Sequence, residues 1–344
     1  MSHRRLRKDI KRGKIDTKKG KDDHGERGRS GSEPSVRETL TRAEWSSFRT
    51  HMLLKGKDVE NMEDLQAHLN AMVRSGRIDD PSVRDGMAPL DKARDIVYEA
   101  WGVRDKKARV TMAHKALALS KDCADAYLLL SDDEANGPEE ALRYVKDAVQ
   151  AGKRALPEDA LDAFKGQLWG DINARPYMRA LEAMAQLQYH LGTKDEAIGH
   201  FKELLKLNEN DNQGIRYQLL DIYMIEGMVE EATELMGRFK TEGDFSAQWA
   251  YYRYILAFRK YGPGPETNEA LDKALKMNPH VPIYLLGNEP LPDQIPDGYS
   301  PGSKEEAVLF ARDSITVWTE NKEALFLMGD RFMAGTMGRE RKGA

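Results

Sequence analysis

The chain has little that would support a disulfide framework or a membrane span. It contains one cysteine, Cys123, among 344 residues, which excludes an internal disulfide and a cysteine-based zinc cluster. No stretch reaches the ~18 to 20 apolar residues that a transmembrane helix needs. The basic N-terminus is not followed by the apolar segment of a secretory signal. We therefore expect a cytoplasmic protein without membrane insertion.

Motifs of catalytic chemistry are also missing. The eight histidines include no HExxH pair or other tight metal-ligand spacing. No GxSxG, Walker A or GxGxxG fingerprint occurs. His190 and His200 fall on successive predicted helices, and we interpret them as hairpin-stabilising side chains rather than as a shared metal site. The sequence thus predicts a protein that is not an enzyme and has no cofactor, no catalytic residue and no metal site.

Charge is distributed unevenly along the chain. Residues 1–33 carry twelve Lys or Arg and six Asp or Glu, a net charge of +6. Because the net charge of the whole chain is −4, the remaining residues sum to −10. Because this segment has few apolar side chains, burial cannot offset the entropy lost on ordering it, and we expect a disordered basic arm. Its Lys and Arg clusters could neutralise phosphates. Nucleic acid is therefore a candidate partner of residues 1–33, although no aromatic side chains are interleaved there.

The middle of the chain repeats with a period of 35 residues. Gly192, Gly227 and Gly262 are spaced at that interval, and each closes a helix-like segment. Equivalent positions before them hold apolar or small residues, as in the series Met184, Leu219, Tyr254 and the series Ala185, Leu220, Ile255. A ~34-residue period with a glycine between helices is typical of tetratricopeptide (TPR) hairpins, which bury their apolar faces by stacking on one another. We predict an all-α fold, a TPR-like helical-hairpin solenoid.

The repeat divides the chain into segments. The interval from Ala141 to Ala197, 56 residues, exceeds one period by about twenty, so an extra helix must be inserted. Its apolar stripe would consist of Leu161, Phe164, Leu168 and Trp169. The predicted organisation is a disordered basic arm over 1–33, N-terminal helices over 34–76, a TPR-like solenoid over 87–278 with the inserted helix near 157–169, a proline-rich loop and capping helices over 279–334, and a disordered tail over 335–344.

Two segments outside the repeats have patterns of their own. Trp45, Phe48 and Met52 are spaced three and four residues apart, which predicts one apolar stripe of a helix. Pro279 and Pro282 lie three residues apart and block continuation of the helix before them. We therefore expect an extended path after residue 278.

Five segments resemble a family of TPR proteins to which no chemistry has been assigned. They are residues 115–130, 164–180, 204–221 and 278–292 and the helix that follows Gly302. Bacterial members of that family are sometimes fused to a zinc-binding SEC-C module. The NPHVP-x-YLL segment, which begins at Asn278, also resembles the suppressor of tumorigenicity 7 family, whose animal members are membrane proteins. The chain lacks the cysteines of the zinc module and a membrane span. The resemblance covers about residues 87–328 and implies a fold but no specific function.

TPR stacks bind other proteins far more often than they catalyse reactions. We predict a protein–protein interaction scaffold or adaptor that binds a peptide or helix of an unidentified partner in the concave groove; the alternative is a nucleic-acid-associated factor that uses the basic arm. With the glycines as register, the predicted groove residues are Arg179, Glu182, Gln186, Tyr189, Tyr217, Asp221, Met224, Trp249, Tyr252 and Arg259. Aromatic and Arg side chains dominate binding hot spots. Trp249 and Tyr252 could instead belong to the interhelix core.

One position departs from the repeat. Arg216 falls where the pattern normally places an apolar residue. We therefore expect the second of the three hairpins to be shifted by one residue, with Ile215 directed inward.

Overall fold

The computed structural model describes residues 36–54, 61–76, 80–239, 246–296 and 298–343. Within these ranges the regular elements are α-helices and short 3₁₀ turns, which confirms the predicted all-α class. The basic arm expected over residues 1–33 lies outside the described residues. The chain divides into two compact units, residues 1–212 (unit 1) and residues 213–344 (unit 2).

Unit 1 is built from helical hairpins. Its helices are α1 (Val36–Leu54), α2 (Met62–Ser75), α3 (Pro89–Trp101), α4 (Lys106–Leu119), α5 (Ala124–Asp133), α6 (Pro138–Ala155), α7 (Ala160–Ala163), α8 (Arg175–His190) and α9 (Lys194–Leu207). Three pairs, α3–α4, α5–α6 and α8–α9, form the hairpins, and the first helices α3, α5 and α8 also pack against one another. Small residues such as Ala113, Ala116 and Ala126 fill the core between them, so the helix axes approach closely.

Glycines end the first helix of the predicted hairpins in a left-handed conformation. Gly192, Gly227 and Gly262 have φ of 87°, 71° and 68°. A Cβ added at any of the three would meet nothing within 4 Å. The backbone conformation, which L-residues rarely adopt, is therefore what favours glycine at these turns. The 35-residue register is confirmed.

The insertion between the second and third hairpins of unit 1 is mostly irregular. Only Ala160–Ala163 and the 3₁₀ turn Leu168–Gly170 are helical. Leu168 is buried, but Leu161 and Phe164 are 42% and 40% exposed, so they do not form the predicted apolar stripe. Gly166 explains the interruption because its φ of 73° is incompatible with a continuous right-handed helix.

Unit 2 contains two hairpins and three further helices. They are α10 (Ile215–Ile225), α11 (Val229–Arg238), α12 (Ala247–Tyr261), α13 (Pro265–Met277), α14 (Val281–Leu285), α15 (Lys304–Glu320) and α16 (Lys322–Gly343). Ile215 is buried and the Arg216 guanidinium lies 4.5 Å from the Tyr217 ring centre, which confirms the shifted register. The last helix continues beyond residue 334, where the sequence predicted its end.

The path after Asn278 is helical rather than extended. Pro282 lies in the first turn of α14, where a helix loses no hydrogen bond to the missing N–H of proline. Proline thus both follows the end of one helix and occupies the first turn of the next. The prediction of an extended path was wrong here.

A buried carboxylate joins three segments of unit 2. The Oε1 atom of Glu306 accepts a hydrogen bond from the backbone N–H of Ala247 at 2.8 Å. Its Oε2 atom accepts from Asn278 Nδ2 at 2.9 Å and from the Gly302 N–H at 2.7 Å. Tyr251 adds a bond from its hydroxyl to the Asn278 carbonyl at 2.7 Å. Because the first N–H groups of a helix have no partner within that helix, Glu306 completes the start of α12.

Two glycines inside helices are expected to respond in opposite ways to alanine. A Cβ at Gly152 in α6 would lie 2.8 Å from the Tyr177 Cα, so Gly152→Ala must push α8 away and should cost about 1 to 3 kcal/mol. Gly199 in α9 has nothing within 4 Å of an added Cβ. Gly199→Ala should therefore raise the free energy of unfolding by up to about 1 kcal/mol through helix propensity. Urea unfolding of both variants measures the difference, and a gain in both would contradict the close helix contact.

Candidate helix-binding face

One helix of unit 1, α1, packs against the first helix α3 and also contacts the first helix α8. The side chains that it meets, or that support those contacts, are Asp95 and Tyr98 on α3, Asp125 on α5 and Arg179 on α8. We call the side of α3, α5 and α8 that carries these four residues the first-helix face. It combines one buried acid–base pair, one buried carboxylate and one aromatic ring.

Four side chains of α1 make the contacts. Glu44 and Phe48 are one helical turn apart, and so are Trp45 and Arg49. Residues four apart lie on the same side of a helix, so the four side chains form two neighbouring rows. The Arg49 guanidinium also lies 4.5 Å from the centre of the Trp45 ring. That cation–π contact holds the second row in one arrangement.

The carboxylate of Asp95 is the anionic point of the face. Its Oδ1 atom accepts hydrogen bonds from Trp45 Nε1 and Arg49 Nε, both at 2.7 Å. Its Oδ2 atom accepts from Arg49 Nη2 at 3.0 Å and from Arg84 Nε at 2.7 Å. Burial alone would raise the pKa of Asp95, but the hydrogen bonds from Arg49, Trp45 and Arg84 outweigh it and hold that pKa below its ordinary value. Asp95 is therefore a charged group in the interior.

The guanidinium of Arg179 is the cationic point. Its Nε and Nη2 atoms donate to the Asp125 carboxylate at 2.9 and 2.6 Å, and its Nη1 atom donates to Glu44 Oε1 at 2.6 Å. Burial opposes the charge, but Asp125, Tyr98 and Glu44 outweigh it and raise the pKa of Arg179 further above its usual range. The guanidinium also lies 5.2 Å from the centre of the Trp101 ring. These partners fix both the charge and the orientation of Arg179.

Aromatic packing connects the two charged points. Phe48 is 1% exposed, and its ring centre lies 5.3 Å from that of Tyr98. The Tyr98 ring in turn meets the Trp101 ring edge-on at 5.2 Å, and its hydroxyl donates to Glu44 at 3.1 Å. Buried aromatic pairs supply much of the energy of helix association. The face therefore holds α1 by apolar and charged contacts together.

The predicted groove residues of unit 1 have different environments. Arg179 lies at the centre of the first-helix face. Gln186 is buried and donates to the Glu182 side chain at 3.2 Å, and Tyr189 is half-buried beside the His190 ring. A partner-binding role for Glu182, Gln186 and Tyr189 stays a prediction.

In unit 2 the predicted groove residues belong largely to the interior. Met224, Trp249 and Tyr252 are buried. The Tyr252 hydroxyl donates to Asp221 at 2.7 Å, and the Tyr217 ring meets the Trp249 ring edge-on at 5.8 Å. Arg259 Nε donates to Asn321 Oδ1 at 2.9 Å, and burial lowers the pKa of Arg259. Trp249 and Tyr252 therefore have the burial expected of interhelix-core residues.

Sequence reasoning missed most of the charged residues of the first-helix face. It identified the apolar stripe of α1 but not Glu44 and Arg49, which lie directly beside Trp45 and Phe48. It also passed over Asp95 and Asp125, acidic residues next to the apolar residues of α3 and α5. One sequence signal points to these residues. An acidic residue among otherwise buried residues of a helix needs a cationic partner, and Arg49 of α1 is such a partner for Asp95.

The described residues contain few features of other functional classes. Among them, no group of three or more His, Cys, Asp or Glu side chains is placed to hold a metal ion. None of the helices traced in the described ranges is long and apolar enough to span a bilayer. Cys123 is buried, and burial raises the pKa of its thiol to about 12, so the thiol stays protonated at neutral pH.

Comparison with known proteins shows relatives across most of the described chain. Residues 85–228 match the family described as "ST7 protein". The "Suppressor of tumorigenicity 7 protein-like" proteins of Gallus gallus and Homo sapiens are 28% and 27% identical over 275 and 273 residues. Each alignment covers 71% of this chain, and 47% and 45% of the respective relatives. "Protein ST7 homolog" of Drosophila pseudoobscura pseudoobscura is 23% identical over 259 residues, which cover 68% of this chain and 47% of that protein. The chain spans about half the length of the curated relatives it matches.

One solved structure also aligns with the chain. YrrB, described as a TPR protein with an unusual peptide-binding site, aligns with a TM-score of 0.39 and 19% sequence identity. The alignment covers 61% of this chain and 92% of that one. The matches to the tumorigenicity-suppressor relatives confirm the resemblance inferred from the sequence segments.

The charge pairs of the face lead to a matched pair of predictions. Asp125→Asn removes a buried counter-charge of Arg179 and should lower the free energy of unfolding by on the order of 3 kcal/mol. Glu44→Gln should cost about 1 kcal/mol or less, because Glu44 is partly exposed and Arg179 retains Asp125. Both changes are isosteric, and urea unfolding compares them directly. Equal losses would contradict the assignment of Asp125 as the principal partner.

Proposed function

We propose that this chain, which is a TPR-like protein related to the suppressor of tumorigenicity 7 family, is a protein–protein interaction scaffold that holds a helix of a partner protein on the first-helix face of unit 1. One observation carries the proposal: this face already holds a helix, α1, through buried aromatic, hydrogen-bonded and charged contacts. Binding of an amphipathic helix in a groove is a recurring mode of peptide recognition.

The face has the properties that specific helix binding requires. Asp95 and Arg179 present fixed charges of opposite sign, and opposite charges set the orientation and register of a bound segment. Tyr98 and Trp101 present aromatic surface, which supplies affinity. Since Asp125 on α5 and Arg84 in the 3₁₀ turn before α3 already hold the two charged groups, little side-chain ordering remains to be done when a helix binds.

The proposal concerns unit 1, where the face meets a helix from outside the hairpins. The predicted groove residues of unit 2 are mostly interior side chains and are not part of it. The nucleic-acid alternative depends on residues 1–33, which lie outside the described residues, and it stays a prediction, as does the cytoplasmic location.

Binding of a helix in trans tests the proposal. We define the opened chain as the 344-residue chain with Phe48→Ala and Arg49→Ala, which removes a buried ring and the bidentate ion pair of α1. A fluorescent peptide with the sequence of residues 36–54 should bind the opened chain saturably in an anisotropy titration. Adding Arg179→Ala should weaken this binding roughly tenfold or more, the loss expected for a buried charged contact.

The matched control keeps both contact rows of α1. Ser47 and His51 are exposed on α1, so a chain with Ser47→Ala and His51→Ala should behave as the wild type does. If the opened chain keeps the wild-type helical circular dichroism and yet shows no saturable peptide binding, the face is not a helix-binding site and the proposal is wrong.

A further inference from the structure

We infer that α1 is an exchangeable occupant of the first-helix face, and that it competes with a partner helix that carries an acidic residue, aromatic residues one and four positions later, and an arginine five positions later. The inference rests on the proposed function, since it specifies which helix the scaffold binds and what that helix displaces. Three features of unit 1 support it.

The first feature is that the face keeps its charge balance without α1. Asp95 retains Arg84, whose Nε lies 2.7 Å from Oδ2 and which belongs to the 3₁₀ turn Pro81–Gly86. Arg179 retains both hydrogen bonds to Asp125 on α5. Departure of α1 therefore leaves neither buried charge without a counter-charge, and the large penalty for a stranded charge does not arise. The charges of the face can therefore remain paired within unit 1 when α1 leaves.

The second feature is that the contacts of α1 are made by side chains that another helix can supply. Glu44 accepts from Arg179, Trp45 and Arg49 donate to Asp95, and Phe48 packs on Tyr98. Any helix with these side chains at the same spacing presents the same two rows. The recognised element is thus a pattern of Glu, aromatic, two variable residues, aromatic and Arg.

The third feature is that the face distinguishes the two directions of such a pattern. Its cationic point, Arg179, meets the acid at the start of the pattern, and its anionic point, Asp95, meets the arginine at the end. A helix with the acid and the arginine exchanged would bring like charges together, which disfavours binding. The partner is therefore an amphipathic helix of defined charge order rather than any apolar helix.

A partner helix must compete with α1 for the face, because α1 belongs to the same chain. A tethered segment acts at a high effective concentration, and a partner binds only to the fraction of molecules in which the face is free. The wild-type chain should therefore bind the residue 36–54 peptide roughly tenfold or more weakly than the opened chain does.

A titration of two chains with two peptides tests the inference. The native peptide has the sequence of residues 36–54. The exchanged peptide carries Glu44→Arg and Arg49→Glu, so its length and composition are those of the native peptide. We expect the opened chain to bind the exchanged peptide roughly tenfold or more weakly than the native peptide. A spin label can be attached at position 47 through Ser47→Cys, because the native Cys123 is buried and does not react. The label should report increased mobility of α1 when the native peptide saturates this otherwise wild-type chain.

The outcomes separate this inference from the proposed function. Equal binding of both peptides to the opened chain would overturn the charge pattern. Equal binding of the native peptide to the wild-type and opened chains, with the spin label at position 47 unchanged, would overturn the competition; in either case the scaffold would still bind a helix. Absence of binding by both peptides to the opened chain would instead overturn the proposed function itself. Arg49→Ala alone provides a milder variant of the opened chain for the same titration.

Discussion

The ion pair between Arg179 and Asp125 is the interaction on which the first-helix face depends. It joins α8 to α5 across 54 residues of sequence, and both side chains are largely buried. Without Asp125 the Arg179 guanidinium would lose the partner that accepts two of its hydrogen bonds. The pair fixes the position and orientation of the cation that meets Glu44 of α1. Preorganised charge of this kind raises specificity more than affinity.

Equivalent repeat positions differ in burial along the chain. Glu182, Tyr217 and Tyr252 are spaced by the 35-residue period. Glu182 and Tyr217 are half-buried, whereas Tyr252 is buried against Phe310 of α15, with ring centres 5.3 Å apart. In unit 1 the first helices α3 and α8 meet α1, and in unit 2 the first helices α10 and α12 meet α15. At Tyr252 a helix from outside the hairpins therefore covers the first-helix residue.

This difference explains what the sequence could and could not predict. The period of glycines predicted the hairpins, because left-handed turns and buried alanines are local requirements of each repeat. The position of Arg216 correctly indicated the one-residue shift. Periodicity also indicates which side of a first helix points away from its own hairpin partner. It carries no information about what covers that side, which at Tyr252 is Phe310 of α15.

The charged contacts of α1 were harder to predict for a related reason. In the sequence, Glu44 and Arg49 have the pattern of solvent-exposed charges beside an apolar stripe. Their partners, Arg179 and Asp95, lie 135 and 46 residues away, and a single sequence does not reveal such pairs. Such pairing is non-local, and no local propensity reports it. Likewise, the insertion near residue 160 has apolar residues at helical spacing, but one glycine conformation overrides that spacing.

The buried carboxylate of Glu306 has a consequence for the order in which unit 2 is made. Its hydrogen bond to the Ala247 N–H spans 59 residues, so the first turn of α12 emerges from the ribosome well before its partner does. Repeat proteins can generally fold hairpin by hairpin as they are synthesised. Here the α12–α13 hairpin can complete its hydrogen bonds only after residue 306 has been added. Final closure of this unit therefore waits until the segment around residue 306 has left the ribosome.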